Sequence, residues 1–365
     1  MAFTTEEIDS KVPEYLRNQA RVYWRLGESP VQDARFTTWL NRVRQMKREG
    51  YNEPLEVQDP GRILSEMRLI KNNDGLRYLR ESCRIAAEGH NHGMRSTRPG
   101  MHEYEVQAEI EYVFRKHGCH RNGYGSIVAA GDNANILHYQ ENNDVLRDGD
   151  LILVDAGCEY GYYSADITRA WPVNGKFSEA QAEVYNWVLR AQKAAIEMCK
   201  PGVGFRDVHY RAVQVLTEGI VDMGLLKGDP AKIIATQREW EEDVKGKRKD
   251  PAKDKAPKTY REFYMHNTSH WLGLDVHDVG DYRHGEDWVK LRPGCVLTVE
   301  PGLYIAKDRK DVPERYRGIG IRIEDDVLVT NDKPDVMTRD CAKGVEEVEA
   351  LMAAQTGKPA MRGRG

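Results

Sequence analysis

Two aspartates in one predicted hairpin constrain what this chain can fold into. Residues 151–171, LILVDAGCEYGYYSADITRAW, contain two apolar, strand-like runs on either side of EYGY, where Gly161 can take the positive φ of a tight turn. A turn at Tyr160 and Gly161 places Asp155 directly opposite Asp166, with Cβ atoms roughly 5 Å apart. Carboxylates that close repel by about 3–4 kcal/mol at an effective dielectric of about 20. The pair therefore indicates a shared proton, a bound cation or side chains splayed into solvent.

Composition excludes several classes of protein. The chain has 365 residues, is 40% hydrophobic and 31% charged, and carries a net charge of −4, which argues against nucleic acid or an anionic membrane as a partner. Its first residues, MAFTTEEIDSKVPEYL, lack the pattern of a secretory signal, and no run is apolar enough for a membrane span. The six cysteines are dispersed without a CxxC pair, so we expect reduced thiols in a cytoplasmic protein.

Helix-like and strand-like segments alternate in a way that favours an α+β fold. Two pairs of amphipathic segments flank the hairpin, at 65–100 with 102–118 and at 178–202 with 205–224. Further strand-like runs lie at 126–139, 265–282, 295–306 and 318–330. This order predicts helices that cover one face of a curved antiparallel sheet.

The remaining segments define the expected domain limits. Residues 241–258 are rich in lysine, proline and acidic side chains with little apolar content, which predicts a charged surface insertion. We expect the main domain to span 61–353 around this insertion, and residues 354–365 to form a flexible tail. Residues 1–60, rich in arginine and aromatic residues, precede the main domain.

Polar residues interrupt three other strand-like runs. They are Glu300 before Pro301, Arg322 and Glu324 on one face of GIGIRIEDD, and His266, His270 and His277 in MHNTSHWLGLDVHD. Taken singly, such a glutamate is usually a rim residue and such a histidine usually packs in the core. Together with the two aspartates they bring four acids into apolar strands, which is costly unless cations compensate them. Two divalent ions would balance four carboxylates, and oxygen ligands with one imidazole suit Mn²⁺, Co²⁺, Fe²⁺ or Zn²⁺.

The order of these residues resembles that of a known enzyme family. Asp155, Asp166, His270, Glu300 and Glu324 follow one another as in the dinuclear metallopeptidases of pita-bread fold, the creatinase, prolidase and methionine aminopeptidase family. The stretches YYSADITRAWPVNGKFSEAQAEVYNWV, FYMHNTSHWLGLDVHDVGDY, LTVEPGLYIA and GIGIRIEDD are most similar to its aminopeptidase P (Xaa-Pro aminopeptidase) branch. The resemblance covers about residues 62–350. It implies a curved antiparallel sheet, two pairs of helices and a dinuclear metal site on the concave face.

The resemblance also implies a ligand set and a cofactor. Asp166 and Glu324 would bridge two divalent ions, Asp155 would bind one of them, and His270 and Glu300 would bind the other. Mn²⁺ is the favoured cofactor, with Co²⁺, Zn²⁺ and Fe²⁺ as alternatives.

Further roles follow from the same resemblance. Glu300 would be the proton shuttle for a metal-bridging hydroxide and for the leaving prolyl nitrogen. His138 and His277 would bind the substrate carbonyl and stabilise the tetrahedral intermediate. His266 and Tyr304 would contact the substrate, and Arg322 would hold the ligand carboxylates ionised during catalysis.

The implied function is release of the N-terminal residue from peptides with proline in the second position. A prolidase, which cleaves Xaa-Pro dipeptides only, is one alternative, and a non-catalytic pita-bread binding protein is another. A creatinase-like enzyme is disfavoured, since that branch works without these ligands. Residues 1–60 resemble only the last part of the family's N-terminal domain, a remnant of a region that supports oligomer contacts. We therefore expect a homo-oligomer but leave the subunit number open.

Overall fold

The structure, a computed structural model, describes residues 2–246, 248–251 and 253–354. The chain divides into two compact units, Met1–Met67 and Arg68–Gly365. Helix α3 (Gly61–Leu69) crosses this division. The expected domain limits, with residues 1–60 as a remnant of an N-terminal domain, stay a prediction.

The first unit packs two helices over a small aromatic core. Its elements are α1 (Ile8–Leu16), β1 (Arg21–Tyr23), α2 (Pro30–Gln45) and β2 (Glu56–Gln58), with β1 and β2 paired in parallel. Ser29 begins α2 because its hydroxyl accepts the Gln32 amide and Pro30 fits the first helical turn. The residues of this core are Leu16, Phe36, Trp39 and Val43.

Two helix pairs cover the second unit. Helix α4 packs against α5, and α6 packs against α7. The helices are α4 (Asn73–Ser96), α5 (Glu103–Lys116), α6 (Glu179–Ile196), α7 (Phe205–Asp222), α8 (Pro230–Lys245) and α9 (Val345–Ala353). Ser178 and Gln181 form a capping box that fixes the start of α6. None of the described helices is both long and apolar enough to span a membrane.

Short antiparallel ladders form the sheet layer of this unit. They pair as β4–β5–β8, β11–β14–β15, β12–β13, β3–β6–β7 and β9–β10. The strands are β3 (Arg121–Asn122), β4 (Ile127–Ala130), β5 (Leu151–Asp155), β6 (Cys158–Tyr160), β7 (Tyr163–Ser164), β8 (Thr168–Pro172), β9 (Arg283–His284), β10 (Asp287–Trp288), β11 (Val296–Val299), β12 (Gly302–Ile305), β13 (Ile319–Arg322), β14 (Asp325–Leu328) and β15 (Asp335–Val336). Nearly all residues of the longer strands are buried, which agrees with their mostly apolar composition.

The stretch 151–171 forms a hairpin, but with a different register from the predicted one. Its turn residues are Gly161 and Tyr162, whose φ angles of 57° and 71° fit a type I′ turn. Asp155 therefore pairs with Thr168, and Asp166 lies in the connection before β8. The prediction that the two aspartates are directly opposite was wrong, because the turn is centred one residue later along the chain. They are diagonal neighbours instead.

Two segments expected to be strands are mostly irregular. Residues 136–139 follow a 3₁₀ turn at Gly131–Asn135, and 265–282 forms only an isolated bridge between Trp271 and Leu297. The Thr298 amide nevertheless donates to the His270 carbonyl at 3.0 Å, which fixes the segment beside β11. Because irregular backbone can turn neighbouring side chains the same way, this segment can present several histidines to one cavity.

The expected surface insertion and tail are described only in part. Residues 241–245 complete α8, and most of the described residues from 248 to 258 are exposed. The interpretation of 241–258 as an insertion stays a prediction. Of the expected tail, residues 355–365 lie outside the described residues.

Candidate metal centre and active site

A cavity of about 790 Å³ in the second unit brings most of the predicted site residues together. Those that line it are His138, Asp155, Asp166, His266, His270, His277, Glu300, Arg322 and Glu324. Tyr304 does not line it: the side chain is 3% exposed and lies behind the wall, bonded to His266 and Arg322. Residues more than 180 positions apart in sequence thus share one cavity.

The most compact group of potential ligands contains Asp166, His270 and Glu324. One ligand atom from each lies within 4.8 Å of the others. Nε2 of His270 is 3.3 Å from a carboxylate oxygen of Asp166 and 3.8 Å from one of Glu300. The Nδ1 atom of His270 lies 3.0 Å from the Trp271 carbonyl, to which it donates. This contact orients Nε2 toward the acids, as second-shell bonds orient metal-ligating histidines.

A tyrosine hydroxyl connects the two aspartates of the hairpin. The Tyr124 oxygen lies 2.5 Å from Oδ1 of Asp155 and 2.5 Å from Oδ1 of Asp166. A phenol has one proton to donate, so it cannot satisfy two carboxylates at once. A second proton or a cation must complete the arrangement. The sequence indicated both of these possibilities. The third possibility, side chains splayed into solvent, does not occur.

Arg322 fixes Asp155 from the other side. Its Nη2 donates to Oδ2 of Asp155 at 2.6 Å and its Nη1 to the Tyr304 hydroxyl at 3.0 Å. Its Nε donates to Thr168 Oγ1 at 3.1 Å, and that hydroxyl donates to Glu324 Oε2 at 2.6 Å. One buried guanidinium therefore helps to position two of the candidate ligand carboxylates, Asp155 directly and Glu324 through Thr168.

Burial and crowding raise the pKa values of several acids. Burial, followed by the neighbouring carboxylates, raises the pKa of Glu324 well above its ordinary value. Burial also raises the pKa of Asp166, and it raises that of Glu300 to about 7. Burial alone would lower the pKa of His270, but its bond to Asp166 raises it to about 9. For the three acids the first cause is burial, which disfavours the charged form of a carboxylate.

The other histidines lie around this acidic group. The His277 ring packs edge-on against His270, with centroids 4.3 Å apart. His266 bonds to Tyr304 at 2.8 Å through Nε2, while its Nδ1 is 3.4 Å from Glu300. Burial lowers the pKa of His266 to about 3, so this imidazole is neutral at pH 7. Neutral imidazoles can both donate and accept hydrogen bonds beside a reacting carbonyl.

Sequence reasoning missed three residues that support the site. Tyr124 stands between glycines in NGYGS, a segment without periodicity that gave no signal. Thr168 could have been found, because a hydroxyl two residues after Asp166 on a strand-like run shares its face. Asp326 is a buried acid whose Oδ2 accepts the backbone amide of Asp166 at 3.0 Å. Asp326 stands two residues after Glu324, and nothing in the sequence distinguishes the roles of these two acids.

Comparisons with known proteins identify the family. Residues 77–331 match the model of metallopeptidase family M24. The chain belongs to family M24. It is 42% identical to the Xaa-Pro aminopeptidase of Escherichia coli (strain K12) over 354 residues, which cover 97% of this chain and 75% of the relative. It is 31% identical to Xaa-Pro aminopeptidase 3 of Homo sapiens over 96% of this chain and 63% of the relative.

Solved structures agree with this assignment. The aminopeptidase PepP of Pseudomonas aeruginosa matches with a TM-score of 0.90 and 43% identity, over 98% of this chain and 76% of that one. A zinc-substituted E. coli aminopeptidase P in complex with product matches with a TM-score of 0.88 and 41% identity, over 98% and 76%. The predicted family and the pita-bread fold, with its antiparallel sheet and helix pairs, are confirmed.

Proposed function

We propose that this M24 chain is a metal-dependent Xaa-Pro aminopeptidase. It would release the N-terminal residue from peptides whose second residue is proline. The observation that carries the proposal is the convergence of Asp155, Asp166, His270, Glu300 and Glu324 on one cavity. Similarity to Xaa-Pro aminopeptidases over 97% and 96% of the chain supports the same substrate class.

The side chains around this cavity fit a pair of divalent ions. Two buried carboxylates, two partly exposed carboxylates and one imidazole supply oxygen and nitrogen donors, and cations among them would offset the burial that raises the pKa values of Asp166, Glu300 and Glu324. When bound, such ions would lower the pKa of water and polarise a peptide carbonyl. We favour Mn²⁺, with Zn²⁺, Co²⁺ and Fe²⁺ as alternatives. Asp166 and Glu324 would be shared between the ions, Asp155 would serve one, and His270 and Glu300 the other.

The remaining residues would act on protons and on the substrate. Glu300 would carry a proton to the leaving prolyl nitrogen, because it lies at the cavity surface between His266 and His270. His138 and His277 would donate hydrogen bonds to the oxygen that gains charge in the transition state. Arg322 would keep Asp155 ionised and in place. His266 would orient Glu300 toward the substrate, and Tyr304 would hold His266 in position.

Location and assembly belong to the same proposal. We place the protein in the cytoplasm, in keeping with six cysteines that are all free and buried. Its partners would be peptides with proline in second position, and we expect a homo-oligomer.

Peptide hydrolysis with defined metal tests this function. The purified chain with added Mn²⁺ should release alanine from Ala-Pro-Ala, leave Ala-Ala-Ala uncut, and lose activity when the metal is chelated. Glu300→Gln should lower kcat by at least about a hundredfold, in the range of lost general acid–base catalysis. Glu346→Gln, which changes an exposed glutamate, should leave the rate unchanged.

Two other results would point to the alternatives. Cleavage of Ala-Pro without any cleavage of Ala-Pro-Ala would make the chain a prolidase. No bound metal and no hydrolysis of either peptide would make it a binding protein.

A further inference from the structure

One wall of the cavity carries two arginines that both contact the same tryptophan. We call Arg206, Arg283 and Trp288 the cationic wall; all three line the cavity and are partly exposed. The guanidinium carbon of Arg206 lies 5.5 Å from the centroid of the Trp288 ring, and that of Arg283 lies 4.5 Å from it. Within residues 2–246, 248–251 and 253–354, neither arginine forms an ion pair with a carboxylate.

The backbone holds this wall in place. The Phe205 amide donates to the Val289 carbonyl at 2.8 Å, and Gly204 forms a bridge with Lys290. The start of α7, which carries Arg206, is therefore fixed to the segment that carries Trp288. Part of the conformational entropy that ligand binding would otherwise cost is therefore already lost when the protein folds.

The Arg206 side chain is also oriented before any ligand binds. Its Nη1 donates to the Asn267 side-chain oxygen at 2.7 Å, and its guanidinium lies 5.2 Å from the Tyr210 ring. Arg238 of α8 stacks on the same ring at 3.8 Å. The bond to Asn267 uses an N–H group of Nη1, and a guanidinium has five N–H groups, so further N–H groups remain for a ligand.

Charge is sorted within the cavity. Acids surround the candidate metal centre, whereas two arginines give the cationic wall a positive charge. After burial, the Arg206 charge is the next cause that lowers the pKa of His209, which also lines the cavity. A short peptide has the complementary polarity, with an ammonium group at one end and a carboxylate at the other.

We propose that Arg206 is a specificity-determining residue that binds a substrate carboxylate on the C-terminal side of the proline. This inference rests on the proposed function, in which the N-terminal end of the peptide is held at the acidic centre. A guanidinium binds a carboxylate through two parallel N–H···O bonds, and Trp288 offers an apolar surface for the residue that bears it. The carboxylate is the chain terminus of a tripeptide or an acidic side chain in third position.

Three matched peptides test the assignment on the full chain with Mn²⁺. Ala-Pro-Ala carries a terminal carboxylate, its C-terminal amide carries none, and Ala-Pro-Asp amide carries one on the side chain. The wild type should cleave a carboxylate-bearing peptide with a kcat/KM about tenfold or more above that of the Ala-Pro-Ala amide. The peptide with the larger advantage identifies the source of the carboxylate.

Variants at Arg206 assign this preference to the residue. Arg206→Leu should lower kcat/KM for the preferred acid about 10- to 100-fold through KM, and change that for the amide less than about twofold. Arg206→Lys should retain part of the preference, since lysine keeps the positive charge but cannot form the two parallel N–H···O bonds of a guanidinium. Arg190→Leu is the matched control, because Arg190 also stacks on a tryptophan, Trp187 at 4.8 Å, but does not line the cavity.

Three other outcomes would overturn the inference. Equal losses for acid and amide would give Arg206 a purely structural role. A wild type that cleaves all three peptides equally would remove the preference while leaving the proposed function intact. Hydrolysis of none of them would refute the proposed function as well. If Arg206→Leu fails to fold by circular dichroism, Arg206→Lys and the wild-type ratio decide the question.

Discussion

At the scale of single residues, the site depends on hydrogen bonds behind the candidate ligands. Tyr124 contacts both hairpin aspartates, and Arg322 reaches Asp155 directly and Glu324 through Thr168. Hydrogen bonds to metal ligands typically contribute about 10- to 100-fold to metal affinity or activity. They explain how acids that repel one another can stay in fixed positions.

Tyr124→Phe tests this support. Removing the hydroxyl deletes the contacts to Asp155 and Asp166 while keeping the ring, so Mn²⁺ affinity should fall about tenfold. Isothermal titration of the metal-free chain measures the change. Tyr112→Phe is the control, because Tyr112 is 57% exposed and lies outside the cavity. Unchanged affinity in the Tyr124 variant would show that its hydroxyl is dispensable.

The two aspartates should differ in what they hold. Asp166 lies in the compact group with His270 and Glu324, whereas Asp155 is paired with Arg322. Asp166→Asn should therefore empty the centre, and Asp155→Asn should leave about one ion bound per chain. Metal content after gel filtration in Mn²⁺ measures both. Equal loss from the two variants would contradict unequal roles.

His90 should make the fold sensitive to acid. Its Nε2 donates to the Ala156 carbonyl at 2.9 Å, and burial lowers its pKa from 6.5 to about 4. The unfolded chain therefore binds a proton that the folded chain rejects, so stability is full above pH 6.5 and falls as the pH drops toward 4. The loss reaches about 3 kcal/mol.

Urea unfolding of His90→Gln and of the wild type at pH 7 and pH 4.5 measures how much stability the protonation of His90 costs. The variant should lose less stability between the two pH values than the wild type, because glutamine can donate to the same carbonyl without titrating. His120→Gln, at an exposed position, should follow the wild type. An identical pH dependence in the His90 variant would exclude the mechanism.

At the scale of elements, the sequence predicted which segments form helices and strands better than it predicted register. The hairpin at 151–171 was recognised from its apolar runs, but EYGYY allows several turns, and the register depends on which two residues take positive φ. Residues 265–282 were expected to be a strand because of their apolar content. Tertiary hydrogen bonds to β11 instead hold this segment in an irregular path, which local sequence does not encode.

The turn itself gives a prediction of stability. Tyr162 has φ 71° and is 72% exposed, so its backbone is in the left-handed region without compensating burial. Tyr162→Gly should raise the free energy of unfolding by up to about 1 kcal/mol, because glycine adopts this conformation without strain. Gly161→Ala should do the opposite, since φ is 57° there and a Cβ would lie 2.5 Å from the Tyr78 ring. Thermal unfolding of both variants measures the difference, and destabilisation by Tyr162→Gly would contradict it.

At the scale of the whole molecule, the acids on distant strands were predicted to converge because their charges needed a common partner. Asp155, Glu300 and Glu324 do share one cavity. What the sequence could not give is the set of buried groups that hold the strands at that distance. Tyr124 and Arg169 have no distinctive spacing, and their contacts reach residues as far as 42 and 173 positions away.

Arg169 links the layers of the second unit. Its guanidinium is fully buried and pairs with Asp325 at 2.7 Å, while Nη1 donates to the carbonyls of Thr168 at 3.0 Å and Glu324 at 2.5 Å. Asp325 also accepts Gln192 of α6 at 2.5 Å and pairs with Lys343. Burial would raise the pKa of Asp325, but the charges of Arg169 and Lys343 hold it below its usual range. The cluster ties α6, β8, β14 and the segment before α9 together.

Removing Arg169 should therefore destabilise the entire unit. Arg169→Met keeps the length of the side chain but leaves Asp325 with one cation instead of two, which should cost about 3–5 kcal/mol in urea unfolding. Arg190→Met, at an exposed position, should change stability by less than about 0.5 kcal/mol. Because Arg169 donates to the backbone carbonyl of Glu324, Mn²⁺ affinity should fall in the Arg169 variant at temperatures where it is still folded. Normal stability in Arg169→Met would mean that apolar packing alone holds β8 beside β14, and the buried ion pair would then serve no structural purpose.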